Sequence, residues 1–296
     1  MQSLIHPQRG ERSNALEPEV LYTADPSMRH PVKLLRAIVR DFRQCRTLAW
    51  RLFIRDLRAR YRESYLGYAW AFLPILVTTS IFVFLRSSGS VRFDETPVPY
   101  PAFALIGMVL WQTFVDALQI PLRSVRAART MLTKINFPRE ALLLSAIGEV
   151  LFNLVVRLLL LLAVLLWFQI VPPATVLLMP IGVAGLIALG LILSLFLMPI
   201  SLLYTDVSKG LPLVTMAMLF LTPVLYPVPT SGIGERLARF NPASLFLQPT
   251  RDCLTTGQVL GLPQFALLAG VIAVSMVWGL MVYRVSMPHV IARMES

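Results

Sequence analysis

Charged residues crowd the first quarter of the chain and then thin out abruptly. Between Leu48 and Arg62 the pattern predicts a helix with two stripes. Arg51, Arg55, Arg58 and Arg62 form one, and Trp50, Ile54, Leu57 and Tyr61 form its neighbour. A basic stripe beside an apolar one is how a helix rests at the headgroup level of a membrane. From Leu66 the charges stop, returning only at Arg86. A gap of about 20 residues covers the roughly 30 Å of a hydrocarbon core. Upstream, Lys33, Arg36, Arg40 and Arg43 face one way and Leu35, Ile38 and Phe42 another, which extends the amphipathic region over 32–65. Residues 1–31, with Pro7, Pro18, Pro26 and Pro31, read as a disordered cytoplasmic tail.

Hydropathy then predicts six spans within 66–296: Leu66–Leu85, Pro101–Ile120, Ala141–Ile170, Val176–Leu203, Leu211–Val228 and Phe265–Tyr283. Between the fifth and sixth, the 229–264 region is too apolar for an ordinary exposed connection and too proline-broken to cross. That pattern fits re-entrant helices, the alternative being a loop packed on its own spans. The expected fold class is an all-α membrane protein: six transmembrane helices, an N-terminal amphipathic interface helix and re-entrant helices before the last span. No internal repeat is apparent.

Loop charge sets the expected orientation. With the N-terminus inside, 21 of the 27 Lys and Arg fall on the cytoplasmic side and five on the other, with Arg157 inside a span. This positive-inside bias, with an even number of spans, places both termini in the cytoplasm.

Composition agrees with the pattern. Apolar residues make up 56% of the chain and charged residues 15%, with a mean hydropathy of +0.68. Soluble domains have roughly 25% charged residues. The net charge of +11 is concentrated early, with 13 of the 27 basic residues before Leu66. Nucleic acid could attract such a segment, but its arginines share a helix with a membrane-seeking face, so membrane lipids are the expected partner and nucleic acid is not. Cys45 and Cys253 lack metal-ligand spacing and fall on opposite sides of this topology, which excludes a disulfide between them. The first thirty residues carry no signal-peptide pattern, so the first span is expected to act as an uncleaved insertion signal.

Candidate chemistry is sparse. His6, His30 and His289 are far apart in sequence, and there is no HExxH, DxD or GxSxG motif. Without a G-x-x-x-x-G-K-[ST] loop this chain does not bind ATP in the P-loop manner, so any ATP-driven action needs an ATPase subunit. No catalytic residue, metal or cofactor is expected on the chain itself. Asp116, Glu149 and Arg157 fall within predicted spans. They read either as a polar lining or ion pair, or, for the two acids, as groups near span ends that reach water. Glu149 and Arg157 are about two turns apart and share a face. Tyr61, Tyr65, Tyr68, Trp70 and Phe72 cluster at the first span, with Trp111, Phe114 and Tyr226 further on. These aromatics read as an interfacial belt or as a carbohydrate path, and position alone favours the belt. The 121–138 stretch reads as a short helix bearing Arg123, Arg126, Arg129 and Lys134. It is either a plain positive-inside loop or a docking helix, with Leu122, Val125, Met131 and Leu132 as apolar contacts.

Several of these pieces together resemble a known family. Arg60-Tyr61-Arg62-Glu63-Ser64-Tyr65-Leu66-Gly67 with Trp70 and Pro74 looks like the entrance of polysaccharide-export ABC permeases, membrane subunits of the ABC-2 superfamily. Asn136-Phe137-Pro138-Arg139-Glu140, Tyr204-Thr205-Asp206-Val207, Thr222-Pro223-Val224-Leu225-Tyr226-Pro227 and Asn241-Pro242 follow in the family's order. Thr205 departs from it, standing where many relatives carry arginine, and the tail before residue 32 takes no part. The resemblance implies a bacterial inner-membrane homodimer that exports a lipid-linked glycan of the O-antigen, capsule or teichoic-acid kind. It implies two cytoplasmic ABC ATPase subunits, which bind ATP and Mg. By the same resemblance Arg58, Arg60, Arg62, Tyr65 and Trp70 form the substrate entrance, and Trp111, Phe114 and Tyr226 the substrate path. Arg123, Arg126, Arg129, Lys134, Phe137 and Asp206 form the ATPase dock. An exporter of drugs or other small amphipathic molecules, a membrane glycosyl- or acyltransferase, and a scaffold or channel subunit are the competing readings.

Overall fold

The computed structural model describes residues 40–62, 65, 67–91, 95–134, 138–228, 232–258 and 262–295. All regular structure among them is helical. The helices are α1 (Arg46–Tyr61), α2 (Leu73–Ser87), α3 (Tyr100–Ala127), α4 (Arg129–Lys134) and α5 (Arg139–Trp167). They continue with α6 (Met179–Leu203), α7 (Thr205–Leu221), α8 (Gly232–Phe240), α9 (Pro242–Thr255) and α10 (Leu262–Glu295). Single 3-10 turns, Gly67–Ala71 and Ala174–Leu178, precede α2 and α6. The tail and residues 32–39 lie outside the described residues.

Among the described residues four stretches are long and apolar enough to cross a membrane: Tyr100–Ala127, Arg139–Trp167, Ala174–Leu203 and Ala269–Val290. Two of the six expected spans are represented by shorter helices. The first was expected over Leu66–Leu85, but Gly67 adopts a left-handed backbone (φ 49°) and the chain makes a turn before α2. Pro74 therefore starts a helix, in the first-turn position that needs no backbone N–H, and does not sit inside one. At 15 residues α2 rises only about 22 Å. The fifth was expected over Leu211–Val228. Instead α7 starts at Thr205 and stops at Leu221, because Thr222 precedes Pro223 and is held extended at ψ 135°. The expected helix over 121–138 is also divided. Residues 121–127 continue α3 past Pro121, and α4 is a separate piece after a bend at Ala128. Two helices, α8 and α9, stand in the expected re-entrant region, joined at Asn241, whose side chain accepts from the Ala243 N–H at 3.0 Å.

The bundle is organised around α3. Of its apolar window 89% is buried, against 17% for the last span. It packs mainly on α6 and α5, with α2 and α9 alongside. Between apolar helices in a membrane, close approach of backbones stands in for the hydrophobic effect, and small residues permit it. A Cβ on Gly190 of α6 would lie 2.7 Å from both the Phe114 carbonyl and the Ala117 Cβ, so α3 and α6 meet there nearly backbone to backbone. Gly182 and Gly185, further up α6, are covered by Thr250 and Phe246 of α9. The outward faces of α5 and α10 remain apolar, at Leu151, Val155, Leu159, Leu162 and Leu166, and at Leu267, Val271, Val274 and Trp278. Such faces suit lipid.

A second core closes the other end of the bundle. Cys45, Ala49 and Leu52 of the N-terminal region join Leu122, Val125, Leu132, Leu142, Met198 and Met287 there. Leu122, Val125 and Leu132 were expected to offer apolar contacts to a docking partner. They are instead buried in this core, at 3%, 0% and 6% exposed. Cys45 and Cys253 are both free and buried. Burial, then the nearby Glu140 and Asp41 charges, push the Cys45 thiol up. Less thiolate and little access mean that Cys45 should stay unlabelled by maleimide in native protein and react only after denaturation. Rapid native labelling would show that α1 does not dock as described.

Candidate functional site

Helix α1 has two working faces. Inward, Ala49, Leu52 and Phe53 pack on α5, where Phe53 lies against Gly148, 3.3 Å from where a Cβ would stand, and its ring meets Phe152 edge-on. Outward, Trp50, Arg51, Ile54, Arg55, Arg58 and Arg62 line a broad open groove. The basic stripe read in the sequence is thus on the outer side, together with Trp50 and Ile54 of the apolar one, and Trp50 is 63% exposed. Arg60 belongs to neither. Two residues from Arg58 on a helix is about 200°, so it points the other way. It forms an ion pair with Glu149 of α5, and Glu149 also accepts from Arg123 Nη2 at 2.9 Å. One carboxylate thereby ties together α1, α3 and α5.

Deeper along the same face of α5 lies a second pair. Arg157 Nη2 donates to Asp116 Oδ2 at 2.8 Å, and Arg157 Nε donates to the Ala71 carbonyl at 3.3 Å. Asn153 Nδ2 donates to the same Asp116 oxygen at 2.7 Å. The Arg157 and Asp116 side chains are 4% and 13% exposed. Glu149, Asn153 and Arg157 recur every four residues, which puts all three on one stripe of α5. This decides between the two readings left open above: Asp116 and Arg157 form a buried ion pair, and Glu149 is held by two arginines that are more exposed. Asn153, between Glu149 and Arg157, completes the stripe. Its i, i+4 position was legible, but an uncharged amide gave no reason to single it out. The pairing of Arg60 and Arg123 with Glu149 had no local signal at all. Arg60, Asp116, Arg123, Asn153 and Arg157 line a cavity of about 230 Å³, with Trp70 and Gln112 also on its wall.

The other expected site residues are dispersed. Tyr65 and Trp70 are exposed near the end of α1. Trp111 and Phe114 are buried in the main core, at 3% and 1% exposed, their rings 5.2 Å apart. Within this chain neither presents a face to an open path. Tyr226 donates its hydroxyl to the Phe220 carbonyl at 2.8 Å, closing the turn after α7. Arg126 and Arg129 lie at the α3–α4 bend, with Arg129 exposed, and Lys134 closes α4. Asp206 is exposed in the first turn of α7. Phe137 lies outside the described residues.

A further constellation holds the T-P-V-L-Y-P turn. Arg251 of α9, 3% exposed, donates from Nη1 to the Pro223 and Val224 carbonyls at 3.1 and 3.3 Å and stacks over Phe103 at 4.0 Å. Asn241 Nδ2 donates to Thr222 Oγ1 at 2.6 Å. Proline breaks the helix, and these donors satisfy the carbonyls and hydroxyl it leaves. In the sequence Arg251 counts only as one of the five basic residues on the non-cytoplasmic side. Its isolation from any nearby motif hid this role.

Known proteins place this arrangement. The family model described as ABC-2 type transporter matches residues 43–255. An "O-antigen export system permease protein RfbA" of Myxococcus xanthus is 30% identical over 244 residues, 81% of this chain and 91% of that protein. Its namesake from Klebsiella pneumoniae is 24% identical over 69% of this chain and 78% of its own length. A "Polysialic acid transport protein KpsM" of Escherichia coli is 24% identical over 79% of this chain and 91% of its own. The matched region runs from just before α1 to the end of α9, so it takes in α1, the ion pairs of α5 and the proline turn. With its all-helical architecture and several membrane-crossing stretches, this chain belongs to the ABC-2 type transporter family.

Proposed function

We propose that this chain is the membrane subunit of an ATP-driven exporter of a lipid-linked polysaccharide. The observation that carries the reading is its similarity, over four-fifths of its length, to a permease named for O-antigen export. The chain has no P-loop motif of its own, so a cytoplasmic ABC ATPase supplies the hydrolysis and binds the ATP and Mg. Two copies of the permease and two of the ATPase make the working unit. In this reading both termini are cytoplasmic in the bacterial inner membrane, and α2 and α7 complete six spans in the assembled dimer. Helices α8 and α9 dip in from the outer side and return. The exposed basic residues around the α3–α4 bend, with Asp206, face the ATPase. The outer groove with Arg58 and Arg62 receives the anionic headgroup at the inner leaflet, and Tyr65 and Trp70 stand beside it.

Two measurements test this. A strain lacking the chain should accumulate lipid-linked glycan inside the cell, and the wild-type chain should relieve it. Co-purification with the ABC ATPase should survive in wild type and fall severalfold in Arg129→Glu with Asp206→Lys. Normal glycan export in the deletion strain, with new drug sensitivity, would favour the small-molecule exporter. Turnover of a glycosyl or acyl donor by the chain without ATPase would favour an enzyme.

A further inference from the structure

Three guanidiniums from three elements converge on the cavity between the end of α1, α3 and α5: Arg60, Arg123 and Arg157. Two carboxylates answer them. Glu149 is shared by Arg60 and Arg123, and Asp116 takes Arg157. The match is incomplete on both counts. Among the described residues one positive charge is in excess, and Arg157, 3% exposed, has an Nη1 with no hydrogen-bond partner. Asn153, which also lines the cavity, has a buried Oδ1 without one among the described residues. A buried guanidinium N–H left unmatched in a cationic cavity favours an anion with several acceptor oxygens. The Arg123 side chain is 60% exposed, so its bond to Glu149 opens without unpacking the bundle.

We propose that this cavity binds a phosphate-type anion, and that Glu149 is an internal carboxylate holding Arg60 and Arg123 until the phosphate displaces it. Tetrahedral phosphate oxygens suit the planar forks of arginine. Two forks come from Arg60 and Arg123, and the inner bond comes from Arg157 Nη1. Asn153 Oδ1 accepts from a P–OH or an adjoining hydroxyl. Trp70, 56% exposed at the wall, offers an apolar surface to whatever the phosphate is attached to. The site is separate from the outer groove, because Arg60 faces away from Arg58 and Arg62. The anion is a free phosphate, a membrane phospholipid or the phosphate of the cargo's lipid carrier. Only the last of these rests on the export reading.

The test uses the intact chain in dodecyl maltoside, a detergent without phosphate, with neither ATPase nor glycan present. Inorganic pyrophosphate, phosphatidic acid and a polyprenyl phosphate are titrated separately. Trp70 emission is the readout, with Trp70→Phe identifying its share of the signal. A saturable change is expected with at least one probe. Arg123→Gln should weaken it about tenfold, the effect of one charge-assisted bond, and Glu149→Gln should tighten it by about as much. Response to pyrophosphate marks a site for free anion; response to one lipid alone names that headgroup as the ligand. No saturable change with any probe overturns the proposal, as does a change that both variants leave unmoved. Monodisperse elution of both variants controls for folding. Glycan accumulation in the deletion strain is scored independently, so failure here leaves the export reading standing and failure there leaves this site standing.

Discussion

Asp116→Ala is expected to be the most damaging single substitution in the chain. It strips Arg157 of its carboxylate and leaves the guanidinium with one backbone carbonyl at 3.3 Å. Removing one partner of a buried pair typically costs about 3–5 kcal/mol. An arginine at the middle of a membrane helix costs about 2.5–3.5 kcal/mol on insertion scales, which agrees in size. Asp116→Asn keeps an acceptor for Asn153 and Arg157 and should lose less. The double variant Asp116→Ala with Arg157→Leu removes both charges and should recover most of the loss, since an apolar pair needs no partner. Detergent-solubilised protein heated in steps and passed over a sizing column would rank the four chains. An Asp116→Ala chain as heat-resistant as wild type would mean that water, and not Asp116, satisfies Arg157.

Gly107→Val should follow closely. The Cβ that any residue adds there is directed into the Val224 carbonyl oxygen, a backbone atom. Overpacking usually costs about 1–3 kcal/mol, and less where neighbours can shift. Here they cannot shift easily, because Arg251 holds the Val224 and Pro223 carbonyls and Asn241 holds Thr222. A loss of about 3 kcal/mol or more is expected, at the upper end of that range. Gly210→Ala, at a helical glycine with open space around it, is the matched comparison. It should be neutral or stabilise by about 0.5–1 kcal/mol through helix propensity. The same heating assay separates the two, and equal behaviour would refute the close contact at Val224.

Much of the architecture could be read from periodicity, because charge is so expensive in hydrocarbon that its absence marks a span. The long stretches in α3, α5, α6 and α10 are of this kind. The first and fifth spans misled for one reason. Hydropathy reads apolar length, while Gly67, Pro74 and Pro223 act on backbone angles and cut that length into a turn and a shorter helix. The arginines of α1 misled differently. A stripe argument grouped Arg58 and Arg62, yet the family resemblance joined Arg60 to them though the helix turns it to the opposite side. The Glu149–Asn153–Arg157 stripe was half legible from its spacing. Its partners Arg60, Arg123 and Asp116 come from other elements, and no local rule connects residues that only tertiary packing brings together. The glycines of α6 take their meaning from α3 and α9, which lie on them.

Those glycines also restrict how the molecule can move. Phe246 and Thr250 sit over bare backbone at Gly185 and Gly182, so α9 has one register on α6. Sliding it by a turn, about 5.4 Å, would drive the Phe246 ring towards Ala188 and Leu189 in one direction and Thr250 towards Leu178 in the other, so one of the two always meets a side-chain-bearing position. Shear between these helices is therefore closed off, and α6 and α9 travel as one rigid body. Whatever opening occurs at this end must be of the hinge kind.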